Sequence, residues 1–175
     1  MKIELKKLKI AEHMSEETTA FTADIYVDGV NAGYAKNDGH GGCTGYHPNP
    51  GKRSLIESAE QFCLTLPPIK YPEIQGMKAF EVDMNLENLI DKMVEDELKR
   101  KDQKKLEKQL QKKMVNHIIW GVPNGTSYVQ IKLPRPIASY SLPAIQTAID
   151  KIKKTDLKEG EQILNTNLEV LGVKL

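Results

Sequence analysis

The chain has 175 residues and a mass of 19.7 kDa, about one domain at roughly 150 residues each, and it is long enough to bury roughly two thirds of its unfolded surface. Its 25 Lys and Arg against 24 Asp and Glu leave a net charge of +1, which excludes whole-chain attraction to nucleic acid or membrane, so such partners must be argued from local surfaces. With 39% hydrophobic residues the composition is that of a globular protein, not a disordered one. No apolar run approaches the ~20 residues a bilayer needs, and the opening MKIELKKLKI lacks a secretory apolar core. No membrane partner and a cytoplasmic location are therefore expected. Cys43 and Cys63 are too few for a disulfide framework and read as free thiols.

Lys2 to Ile10 changes apolar phase between Leu5 and Leu8, which predicts a strand with a bulge near Lys6 and Lys7. Phe21, Ala23, Ile25 and Val27 alternate with polar residues, and Asp28-Gly29 is a type I′ turn signal, so Thr19–Val27 and Val30–Lys36 should form a hairpin. Asn37 to Gly51 is too rich in Gly and Pro for regular structure and reads as a loop. Ser54-Leu55-Ile56-Glu57 has capping-box spacing and opens a helix to about Leu66, with Leu55, Ala59, Phe62, Cys63 and Leu66 as its apolar stripe and Pro67-Pro68 as its stop. Tyr71 to Val82 is expected to be an irregular or extended connector.

The longest helix should occupy about 85–114, on the recurrence of Leu86, Leu89, Ile90, Met93, Val94 and Leu98. No apolar residue lies between Lys99 and Lys105, so the helix either projects into water there or breaks. Glu81–Glu97 has seven acids and one lysine, whereas Lys99–Lys113 has eight bases and two acids, an order that complements the helix dipole. Val115–Trp120 and Ser127–Leu133 read as paired strands, with Trp120 and Tyr128 as packing residues, His117 as a strand residue and His13 as a loop residue. Ser141–Lys154 should be a third helix, with Pro143 in its first turn. Glu161–Val170 should be a last strand. This order predicts an α+β fold, with a mainly antiparallel sheet of five to six strands and three helices, as a single domain over 1–175 from which the long helix can project.

The candidate site is the Gly-rich loop 38–53. His40, Cys43 and His47 form H-x2-C-x3-H, ligand types suited to zinc, although a fourth ligand is not evident. Alternatively, Asp38, Gly39, Gly41, Gly42, Lys52 and Arg53 form an anion cradle for a phosphate-containing ligand, with glycine N–H groups and a helix start supplying positive charge. A Walker loop is excluded, because that spacing needs Gly at Tyr46 and Ser or Thr at Arg53. A third reading makes Cys43 a nucleophile with His40 or His47 as its base, as in a metal- or Cys-His-dependent hydrolase. The bland alternative is a glycine-dense connection with local hydrogen bonds only. The run Lys99–Lys113 can contact nucleic-acid phosphates, but it lacks interleaved aromatics for base stacking. Leu106, Leu110 and Met114 offer a seam for an oligomer.

Asn37-Asp38-Gly39-His40-Gly41-Gly42-Cys43, with Val27-Asp28-Gly29 and Gly160 to Leu168 (GEQILNTNL), resembles small uncharacterised proteins encoded by tailed phages and mobile elements. The resemblance implies a bacterial cytoplasm and accessory or counter-defence work, binding a host protein, nucleic acid or signalling nucleotide. It identifies no catalytic residue. The leading expectation is a non-enzymatic binding module that uses loop 38–53. The Asn and Thr residues near the C-terminal end suit a turn or sheet edge more than a polar ligand.

Overall fold

The computed structural model describes residues 1–74 and 76–175; Gln75, inside the expected connector, lies outside the described residues. The chain is α+β with antiparallel sheets, as expected, but its strands form three sheets in place of one sheet of five to six. Backbone contacts divide it into Met1–Leu98 and Lys99–Leu175.

In the first unit, β1 (Ile3–Ile10), β2 (Phe21–Val27), β3 (Val30–Asn37) and β4 (Gly45–Pro48) form a sheet in chain order. The predicted bulge is present: the β1–β2 register shifts between Lys6 and Lys9, and Lys7 takes φ +51°. Asp28 and Gly29 have φ +46° and +83°, as a type I′ turn requires. β4 corrects the reading of 37–51 as wholly irregular. Its pairing with β3 depends on Gly33, where a Cβ would lie 2.3 Å from the His47 carbonyl oxygen. That close approach involves residues far apart in sequence, so local Gly and Pro content concealed the strand.

One face of this sheet packs on α1 (Arg53–Cys63) and the first half of α2 (Leu86–Lys113), burying Phe21, Ile25, Val27, Ile56, Cys63, Leu86, Ile90 and Val94 among others. The capping box is not formed: α1 starts after Lys52, and Glu57 pairs with Arg53 (Nε to Oε1, 3.1 Å) without reaching back to the helix start. Ile56 takes the buried position expected of Leu55, which is only partly covered. The expected connector instead contains a small hairpin of β5 (Ile69–Tyr71) and β6 (Phe80–Val82), with Tyr71 and Phe80 stacked 4.7 Å apart.

The long helix is unbroken from Leu86 to Lys113. In the second unit, β7 (His117–Gly121) lies between β8 (Val129–Lys132) and β9 (Gln162–Ile163), with α3 (Leu142–Thr155) burying Ile145, Ile149 and Ile152 beside Ile118, Trp120 and Leu168. The expected last strand is only two residues long; Thr166–Val170 turns into α4. Asn165, fully buried, explains the short strand: Oδ1 accepts from the Ile119 N–H (2.6 Å) and Nδ2 donates to the His117 carbonyl (2.8 Å), so one side chain continues the ladder where the backbone leaves it. Among the described residues no helix is long and apolar enough to cross a membrane.

Candidate binding edge of the four-stranded sheet

Segment 38–53 is the outer edge of the first sheet, with a glycine-rich tip, edge strand β4 and a turn into α1. The base of the tip is fixed by this chain's own polar groups. The Gly39 carbonyl accepts from the N–H groups of Glu16 (2.9 Å) and Glu17 (3.1 Å). Asn37 Oδ1 accepts from the Gly39 N–H and the Thr18 hydroxyl, while Asn37 Nδ2 donates to the Gly42 carbonyl and Thr44 Oγ1. Gly39 has φ +90°, and a Cβ there would lie 2.2 Å from the Met14 carbonyl oxygen, so glycine is needed for both conformation and space.

Thr44 anchors the other side. Although buried, it donates its N–H to Glu87 Oε1 (3.0 Å) and its hydroxyl to Asp91 Oδ1 (2.5 Å). Burial pushes the Asp91 carboxyl above the ordinary carboxylate value; the Thr44 hydrogen bond opposes this, and the Glu87 charge adds to it. On β4, Tyr46 packs against the core and donates its hydroxyl to Glu60 (2.8 Å). Burial, then the Glu60 hydrogen bond, raise its phenol to about 12. Burial likewise raises the Cys63 thiol. These acids on α1 and α2 lie more than ten residues from their partners, and nothing local in the sequence joins them.

The sequence-expected ligands fall into three places along this edge. His40 Nδ1 faces Glu16 Oε2 at 3.0 Å at the exposed tip, Cys43 is exposed three residues further along the chain, and His47 lies on β4 opposite Tyr34, with ring centroids 5.2 Å apart. Among the described residues no three His, Cys, Asp or Glu side chains converge as a metal ion requires. Asp38 stands 3.5 Å from Lys36. The N–H groups of Gly39, Gly41 and Thr44 all donate within the chain. Lys52 and Arg53 are separated from Gly39, Gly41 and Gly42 by the length of β4, roughly 13 Å at the usual rise per strand residue. The glycines and the cations are therefore not brought into one cradle. The basic run Lys99–Lys113 lies on the unbroken second half of α2, with Lys104, Lys105 and Lys108 exposed.

In the second unit, Leu106, Leu110, Met114, Pro123, Tyr128 and Leu164 line much of a groove of about 330 Å³. Lys113 Nζ donates to the Tyr128 hydroxyl at 2.9 Å on that side of the chain. Leu106, Leu110 and Met114, expected as a seam, form one wall of the groove; its other wall and the outward face of the first sheet were not evident in the sequence, because each is assembled from strands or turns distant along the chain.

Comparison with protein-family models, with curated proteins and with solved structures gives no match.

Proposed function

We propose that the protein is a non-catalytic binding module whose contact surface is the sheet edge from Asp38 to Arg53. The observation that carries this reading is the contrast between a fixed base and an exposed tip. The Gly39 carbonyl and the Asn37 side chain hold the loop ends, while His40, Gly41, Gly42 and Cys43 face solvent. A surface held in advance loses less conformational freedom on binding, which is the usual reason for building a contact loop on a rigid scaffold. The partner is a phosphate-bearing one, drawn to Lys52 and Arg53 at one end of the edge, where Arg53 exchanges its exposed contact with Glu57, and hydrogen-bonded by the His40 ring in place of Glu16 at the other.

Native mass spectrometry of the full chain, with a nucleoside triphosphate or a short oligonucleotide as probe, tests the reading against a His40→Ala/Cys43→Ala variant with all tip glycines kept. The expected result is a retained probe mass that falls on substitution of the tip. A variant that keeps its fold and all of its probe binding overturns the assignment of this edge.

A further inference from the structure

Beyond that edge, we propose that the outward face of the four-stranded sheet is a platform for single-stranded nucleic acid. The inner face is covered by α1 and α2, whereas the residues that alternate outward, Lys6 and Lys9 on β1, Thr22, Asp24 and Tyr26 on β2, Tyr34 and Lys36 on β3, and His47 on β4, are exposed or partly so. Register places Lys6, Asp24, Tyr34 and His47 in one row across the strands, and Lys9, Thr22 and Lys36 in the next. Tyr34 is 45% exposed and lies against the His47 ring at an interplanar angle of 39°, so the pair offers an aromatic ledge at the open side of the sheet. Lys6 Nζ sits 4.0 Å from the centre of the Tyr26 ring, placing a cation beside a second aromatic.

The charges suit a polyanion. The strand carboxylates on this side are paired within the chain, Asp24 Oδ2 with Lys7 at 2.9 Å and Glu4 Oε1 with Lys2 at 2.8 Å, and Lys6, Lys9 and Lys36 add positive charge beyond those pairs. Lys36 leans towards Asp38 at 3.5 Å, a contact loose enough for a phosphate to replace. Unpaired bases stack on aromatic rings whatever their identity, while lysines follow the backbone; a duplex hides those base faces. Aromatic rings interleaved with lysines are the feature missing from Lys99–Lys113, which favours this face over the basic helix. It shares only His47 with the 38–53 edge, so either assignment can fail alone.

The test is fluorescence anisotropy of a labelled oligothymidylate of about 16 nucleotides titrated with the full chain at low salt, with a duplex of equal length beside it. The single strand should bind in preference to the duplex, with affinity falling linearly on a log–log plot against salt. Tyr34→Ala, at an exposed position, should weaken binding about tenfold, whereas Tyr34→Phe keeps the ring and the affinity. Lys6→Ala/Lys36→Ala should reduce the salt slope. Undetectable binding, or binding unchanged by Tyr34→Ala, overturns the proposal. So does loss of binding only in Lys104→Glu/Lys105→Glu, which assigns it to the helix, or only in the His40→Ala/Cys43→Ala tip variant, which leaves the edge reading standing. Concentration-dependent dimerisation that is abolished by Tyr34→Ala, with no oligonucleotide bound, would make the face a protein interface and likewise overturn it.

Discussion

Replacing Asn165 by alanine removes the side chain that extends the second unit's sheet. Three hydrogen bonds are lost: from the Ile119 N–H (2.6 Å), to the His117 carbonyl (2.8 Å) and to Asn167 Oδ1 (3.3 Å). Ile119 is fully buried, so its amide has no route to water without local opening. A buried polar group left without a partner costs about 1–3 kcal/mol; with two backbone groups stranded and some relaxation allowed, the loss should be about 2–4 kcal/mol. The chain's one tryptophan, Trp120, belongs to this unit's core, so its fluorescence during urea unfolding reports the unit directly. At a slope of about 1–2 kcal/mol per molar urea, the midpoint should fall by about 1–4 M. A shift of less than about 0.3 M with an unchanged slope would refute the view that Asn165 substitutes for strand backbone.

Other consequences are separately measurable. Gly39→Ala should destabilise the first unit by about 2 kcal/mol or more, since φ +90° and the Met14 carbonyl both oppose a Cβ, and faster amide exchange at Glu16 and Glu17 reads the released tip. Native protein should titrate one thiol promptly with a disulfide reagent, the exposed Cys43, while Cys63, buried and with its thiol raised, reacts only on unfolding; two prompt thiols would contradict its placement. Asp91 binds its proton more tightly folded than unfolded, so its ionisation opposes folding. This penalty is absent below the ordinary value of 3.8 and sets in as the pH rises past it. Asp91→Asn should therefore be more stable than the parent at about pH 7 and gain nothing in strong acid, as denaturation midpoints at the two pH values will show. Tyr46 follows the same sign in alkali: stability tied to its phenol holds below its ordinary value of 10.0 and is lost as pH rises towards about 12, visible as one tyrosine ionising late in ultraviolet titration.

The elements set by local pattern were legible in the sequence. Alternation gave β2, the Asp28-Gly29 turn gave the hairpin, and helical spacing gave α2 and α3 within a residue or two. The β1 bulge was also legible, because Lys6 and Lys7 separate two apolar phases. What escaped depends on groups that meet only in the fold. β4 exists because Gly33 admits the His47 carbonyl, and Thr44 is buried because Glu87 and Asp91, more than forty residues later, accept its hydrogens. The capping signal at Ser54 misled because the helix starts one residue earlier, after Lys52, which places Ser54 inside the first turn and leaves Glu57 to pair with Arg53. At the candidate site, the sequence singled out the tip but grouped Lys52 and Arg53 with its glycines, since closeness along the chain conceals that a strand runs between them.

Amide chemical-shift mapping of the full chain against unlabelled oligothymidylate tests the assignment of binding to this sheet most directly. The account predicts perturbations at Lys6, Lys9, Tyr26, Tyr34, Lys36 and His47, continuing into Gly41–Thr44 at the tip. Perturbations confined to Lys99–Lys113, or none at saturating oligonucleotide, would contradict it.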